Sequence, residues 1–201
     1  MRYIRRVSYD DPATRHSVLT TARRTAALVN ALSGECPEPD EVSGVLRAYG
    51  EPEPLRLDTG DVSGMRAVAA LLREVFAAED AGQAAGVLNR LLRDGTGPLR
   101  LTSHGGDSPW HPHLDRDDDA PWDEWFLASS CMALTVLVWD RQLPPGRVCA
   151  SRACADVFVT LGRGPERRYC SRRCATRERV AAHRRAGQSP RDPATGTRRD
   201  G

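Results

Sequence analysis

Lysine is absent: all 29 basic residues of the chain are arginine. Exclusive use of one cation reflects compositional bias, so a single arginine says little about bidentate anion contact and only clustering is informative. Long apolar runs are also missing. The longest uncharged, mostly apolar stretch, residues 126–139, holds 14 positions, short of the roughly 20 that a membrane-spanning helix needs. No apolar block follows the basic start MRYIRR, so no leader is read there and a cytoplasmic protein is expected. Internal repeats are absent as well. What remains, 40% hydrophobic and 28% charged residues over 201 positions, is the composition of a soluble globular chain. Its length suits one domain with a small appendage.

Periodicity places helices along the first two thirds. Val18, Ala22, Ala26, Val29 and Leu32 recur at three- and four-residue steps over 14–32, the spacing of a helix with one buried face. A second pattern carries Val42, Val45, Leu46 and Tyr49 and stops at Gly50. The prolines of EPEPLRLDTG turn the next stretch into a connector with room for a short strand. Asp58 or Thr59 is placed to cap a third helix through Val62, Met65, Val68, Leu72, Val75 and Phe76, and Asp80 a fourth through Leu91 and Leu92. Residues 98–114 alternate polar and apolar around Gly105-Gly106 and read as two short strands joined by a turn. After the acidic run 115–119, the pattern 122–139 reads as the most buried helix, and Pro144-Pro145-Gly146 closes the body. The tail 187–201, rich in Gly, Pro, Ser and Thr, is expected to be disordered.

Charge and cysteine divide the chain in the same place. Up to Asp140 there are 14 arginines against 22 acidic residues; beyond it, 15 against 5. A basic segment on an acidic body suits a small module that meets a polyanion. Four of the six cysteines fall in that segment as Cys149-x4-Cys154 and Cys170-x3-Cys174, within the range of paired-ligand zinc sites. Between the pairs, VFVTLGRGPERRY offers a strand, a glycine turn and a returning strand. Ser171 can cap a helix to about 186 with Cys174 in its first turn, where exposed N–H groups favour a thiolate. The expected shape is a treble clef whose zinc supplies folding free energy, because some 40 residues cannot bury a sufficient core alone. On that helix Arg173, Arg177 and Arg184 form one stripe flanked by Arg172 and Arg179, a geometry that suits phosphates or guanine edges. A solvated basic face fits the same residues.

The run RRYCSRRCATRERVAAHRR, together with the four cysteines, resembles the CGNR zinc finger over residues 146–186. Arg177 matches the family's pattern, while Ala175 and Thr176 replace its Gly-Asn and the last pair is one residue closer than usual. LVNAL at 28–32, VLNRLL at 87–92 and WHPHLD at 110–115 are similar to the ABATE domain that often precedes this finger, here over 12–140. The resemblance implies a mixed α/β sensor-like domain and a stress-related transcription regulator.

Other residues offer less. His104, His111, His113 and Asp115 could share a face as a second metal or hydrolytic site, yet a flexible Gly-Gly loop explains them too and no partner presents an activated nucleophile. Cys36 reads as incidental and Cys131 as a small core residue. Asn30 and Asn89, on apolar helices, suit either a pocket or a satisfied polar contact. The tryptophans Trp110, Trp122, Trp125 and Trp139 read as core packing or a ligand platform. The whole reading is an α+β protein: a mostly helical body (12–140) with a small sheet, followed by a treble-clef-like finger (146–186) with zinc on Cys149, Cys154, Cys170 and Cys174. DNA contacts are expected from Arg172, Arg173, Arg177, Arg179 and Arg184, in a non-enzymatic regulator. The body would take a small-molecule or protein effector, and a homodimer or a partner would supply the specificity one finger lacks. Rival readings are a protein-interaction finger that never meets nucleic acid, and a ligand-binding or enzymatic body merely clasped by the finger.

Overall fold

The computed structural model describes residues 17–160 and 167–187. Thr14, the Gly turn of the finger and nearly all of the expected disordered tail lie outside them. Among the described residues five helices build the body: α1 (Val18–Leu32), α2 (Pro39–Ala48), α3 (Thr59–Ala77), α4 (Ala81–Gly95) and α5 (Trp122–Arg141). Between α4 and α5 the chain forms a two-stranded antiparallel hairpin, β1 (Arg100–Thr102) with β2 (His111–His113). A second hairpin, β3 (Gly146–Val148) with β4 (Val157–Val159), precedes α6 (Arg172–Gly187).

The helix starts follow local chemistry. Asp58 accepts from Asp61 N–H at 2.8 Å while the Asp61 carboxylate accepts from Asp58 N–H at 2.9 Å, a reciprocal box that satisfies two orphan donors of α3. Asp80 accepts from Gln83 N–H at 2.8 Å and starts α4. α5 enters behind Pro121 with Asp123 and Glu124 in its first turn, where carboxylates complement the helix dipole. It ends at Gln142, whose left-handed backbone (φ 53°) returns an N–H to Val138 O.

α5 is the hub, packing on α1, α3 and α4. Phe126, Leu127, Cys131, Leu134 and Leu137 meet Leu28, Leu32, Met65, Leu72, Phe76 and Leu88 in one buried cluster. Burial of each such side chain stabilises the fold by about 1.5–3 kcal/mol. Leu55 and Leu57 pack against the same cluster, but the connector that carries them has no strand. Trp122 and Trp125 meet edge to face at 5.3 Å, whereas Trp110 and Trp139 are about three quarters exposed and lie outside the core. Where α1 crosses α5, Arg24 is buried with an ion pair to Glu51, a hydrogen bond to Ser129 Oγ (2.9 Å) and its guanidinium 4.4 Å from the Trp125 ring centre. Thr25 Oγ1 bonds Ser130 Oγ at 2.9 Å beside it. Among the described residues no helix is long and apolar enough to cross a membrane.

The second hairpin continues the body's core. Val157, 1% exposed, belongs to the same apolar cluster, and Val148 and Val159 pack against it. Gly146 lies so close to Phe76 that a Cβ there would sit 2.5 Å from Cδ1 of that ring and 2.4 Å from the Phe158 carbonyl oxygen. The backbone bonds Thr160 N–H to Pro145 O (3.2 Å) and Cys149 N–H to Asp156 O (2.8 Å) fix which pairs are bonded. By the antiparallel alternation, Val157 then faces its N–H and C=O away from β3. Asn30 of α1 meets both: Nδ2 donates to Val157 O (3.0 Å) and Oδ1 accepts from Val157 N–H (2.7 Å). One side-chain amide thus stands in for a third strand.

Candidate metal centre

Four sulfurs meet at the junction of the second hairpin and α6. Cys149 ends the β3 side, Cys154 follows a tight turn closed by its own N–H to Ser151 O (3.0 Å), and Cys170 and Cys174 bracket the start of α6. All four Sγ atoms lie within 4.8 Å of one another, with Cys154–Cys170 at 3.6 Å and Cys170–Cys174 at 3.7 Å. Zinc–sulfur bonds of about 2.3 Å set tetrahedral edges of about 3.8 Å, so the cluster has the size of a tetrathiolate zinc site. Cys149 and Cys174 are buried and the other two half-buried.

The surroundings act on the thiols in opposite directions. Ser171 Oγ accepts from Cys174 N–H at 3.2 Å, capping α6, and its hydroxyl hydrogen bond draws the Cys174 thiol down to about 7. Cys170 N–H donates to Cys149 Sγ at 3.4 Å. Burial pushes Cys154 up to about 11 and raises Cys170 as well. Four such sulfurs cannot ionise together without a cation, so binding zinc releases protons. With all four positions filled by protein, such a site would leave no room for water or substrate, and an ion held there would be structural rather than catalytic.

The strand pattern around this site differs from the expected one. Among the described residues β4 pairs with β3, upstream of the first cysteine pair, and residues 167–169, the described end of the stretch from which a returning strand is expected, are irregular. One edge of β4 is taken by β3, and Asn30 meets the outward N–H and C=O of Val157 on the other. The 167–169 segment instead crosses the turn, where Arg168 O accepts from Ala150 N–H at 2.9 Å. Arg167 lies over the Phe158 ring at 5.0 Å.

α6 presents its arginines unequally. Arg172, Arg173, Arg179 and Arg184 are exposed, and among the described residues none forms an ion pair. Arg177 is half-buried and Nη1 donates to Ala153 O at 3.1 Å, so it braces the cysteine turn. Glu178, absent from the residues expected at this site, accepts from Ser151 Oγ (2.9 Å) and Arg152 N–H (3.0 Å), and the Ser151 hydroxyl holds its carboxyl below the usual range. Its position four residues after Cys174, on the same helix face, is the signal that could have found it.

Elsewhere Cys131 is buried, its thiol pushed up to about 12, while Cys36 is exposed. Asn30 is the satisfied contact already described, and Asn89 is exposed. His104, His111 and His113 do come together: their ring nitrogens lie within 4.8 Å of one another on the first hairpin.

A turn with two cysteines, a hairpin and a helix whose start the second pair brackets define a zinc finger. More narrowly, residues 146–186 match the family model of the CGNR zinc finger. No curated protein matches the chain.

Proposed function

We propose that the protein is a zinc-dependent DNA-binding transcription regulator, in which the helical body receives an effector and α6 meets the duplex. The observation that carries this reading is the row of exposed arginines, Arg172, Arg173, Arg179 and Arg184, on a helix seated on the four-sulfur site. Unpaired guanidiniums held by a rigid element favour phosphates and guanine edges. Arg177, tied to Ala153, contributes its charge from the base of that row. The acidic body gives the molecule one face that repels a polyanion and one that attracts it. The similarity of LVNAL, VLNRLL and WHPHLD to the ABATE domain supports a stress-related, non-enzymatic regulator with residues 12–140 as the effector-binding part.

Fluorescence anisotropy with random duplexes, at several salt concentrations, tests the reading. Replacing Arg172, Arg173, Arg179 and Arg184 by Ala should weaken binding and flatten the plot of log K against log salt by ~0.9 for each phosphate no longer neutralised. Arg177 is left in place so that the finger stays intact. Equal affinity and slope for the variant and the native chain would sink the proposal, as would a native chain that fails to bind duplex at low salt. The second outcome would leave docking on an acidic protein surface.

A further inference from the structure

We propose that the first hairpin carries a second metal site, in which the Nε2 atoms of His104, His111 and His113 bind one divalent first-row transition ion of the zinc class. The site is distinct from the four cysteines and stands whether or not the finger binds DNA.

The register Arg100↔His113 and Thr102↔His111 puts these four side chains on one face of the hairpin. His104 joins them because the chain turns through left-handed backbone at three successive residues: His104 (φ 49°), Gly105 (φ 73°) and Gly106 (φ 105°). Only the two glycines adopt that region freely, so His104 is held in an uncommon conformation, with its N–H donating to Thr102 Oγ1 at 3.0 Å. The result is three rings packed at centroid distances of 4.8–5.1 Å. Nε2 of His111 lies 3.2 Å from Nε2 of His104 and 3.0 Å from Nε2 of His113.

The acceptors around the rings decide the tautomers. His111 Nδ1 is 2.8 Å from Pro109 O, which can only accept. His113 Nδ1 is 2.9 Å from both oxygens of Asp115, a carboxylate 2% exposed and ion-paired to Arg100 at 2.6 Å. His104 Nδ1 is 3.3 Å from Oδ2 of Asp118, a carboxylate that also accepts from Arg100 Nη1 at Oδ1 (2.7 Å) and from Thr102 Oγ1 at Oδ2 (2.9 Å). Each ring therefore turns its N–H outward and leaves an Nε2 lone pair directed inward. Lone pairs 3.0–3.2 Å apart repel unless a proton or a metal ion lies between them, and a metal ion serves all three at once. Zinc–nitrogen bonds of about 2.0–2.1 Å set tetrahedral edges of about 3.4 Å, close to the spacing found.

Partner groups on Nδ1 are what metal-binding imidazoles require, since they fix ring orientation and raise basicity. Two carboxylates against one guanidinium leave a negative charge beside the three rings, which also favours a divalent ion. Imidazole ligands suit zinc, copper, nickel and iron rather than calcium or magnesium. Three protein ligands leave a fourth position open, and the half-buried rings leave it accessible, so this ion should exchange faster than the one among the cysteines.

Equilibrium dialysis of the full chain against buffered micromolar free zinc, followed by elemental analysis, should find two zinc ions per native chain. His111→Ala and His113→Ala should each bind one, with their finger zinc unchanged. One ion in the native chain, or two in both variants, would overturn the site. Should a variant misfold, proton–nitrogen correlation spectra of the native chain decide alone. On adding zinc to the one-ion form, the Nε2 resonances of all three rings should move while each Nδ1 stays protonated; unmoved resonances would refute the proposal.

Discussion

Asn30→Leu tests how the finger is joined to the body. The replacement keeps the side chain's approximate shape and removes both hydrogen bonds to Val157. Val157 is 1% exposed, so water cannot take the place of the amide. An unpaired buried N–H or C=O costs about 1–3 kcal/mol, which for two groups with partial relaxation amounts to about 3 kcal/mol. At about 2–4 °C per kcal/mol for a chain of this size, the midpoint of thermal unfolding should fall by ~6–12 °C. Asn89→Leu is the control, since Asn89 is exposed and the same chemical change there should stay within about 0.5 kcal/mol. Circular dichroism melts of the zinc-loaded chains measure both. Because β4 lies between α1 and the cysteines, Asn30→Leu should also weaken zinc binding, read by competition with a chromophoric chelator. A midpoint shift no larger than that of Asn89→Leu would refute the role given to the amide.

Further outcomes follow from the same geometry. Gly146→Ala drives a Cβ to 2.4 Å from the Phe158 carbonyl and 2.5 Å from Phe76; urea titration should show a loss of about 1–3 kcal/mol or more. Cys174→Ser removes one of the four sulfurs, so chelator should lower the melting midpoint of the native chain by more than it lowers that of the variant. Cys131 is raised by burial from its ordinary 9.0 to about 12. Its contribution to stability is complete below pH 9 and is lost as pH rises from 9 through 12, because the unfolded thiol ionises first. Urea titrations of Cys131→Ala against the native chain should therefore show a stability difference that changes only across that alkaline window.

Local signals were legible where a single short-range interaction decides the structure. Asp58, Asp80 and Ser171 announce the starts of α3, α4 and α6 because a side-chain oxygen three residues before an N–H suffices to cap a helix. The cysteine spacing announces the metal centre for the same reason, and Ser171 with Cys174 sets its helix. Illegible were the contacts made across long sequence separations. Periodicity cannot tell that Asn30 will meet Val157, 127 positions later, or that β4 will take β3 as its partner. Trp110 and Trp139 carry the apolar surface of core residues yet face outward, since burial depends on which elements arrive beside them. The three histidines were visible as an alternation, but their convergence rests on the left-handed turn at His104, which composition alone does not impose.

The shared core also changes how body and finger can be separated by experiment. Residues 146–201 look detachable in the sequence, because prolines precede them and the charge reverses there. In the fold, Val157 is part of the body's apolar cluster, Phe76 packs on Gly146, and Asn30 needs a strand edge to satisfy its amide. Truncation before β3 would uncover Phe76 and leave Asn30 without its Val157 partner, so a failed truncation would report lost packing whatever the finger does. Point changes at exposed positions of α6 leave the hairpin docked, and they separate what the finger contacts from what it holds together.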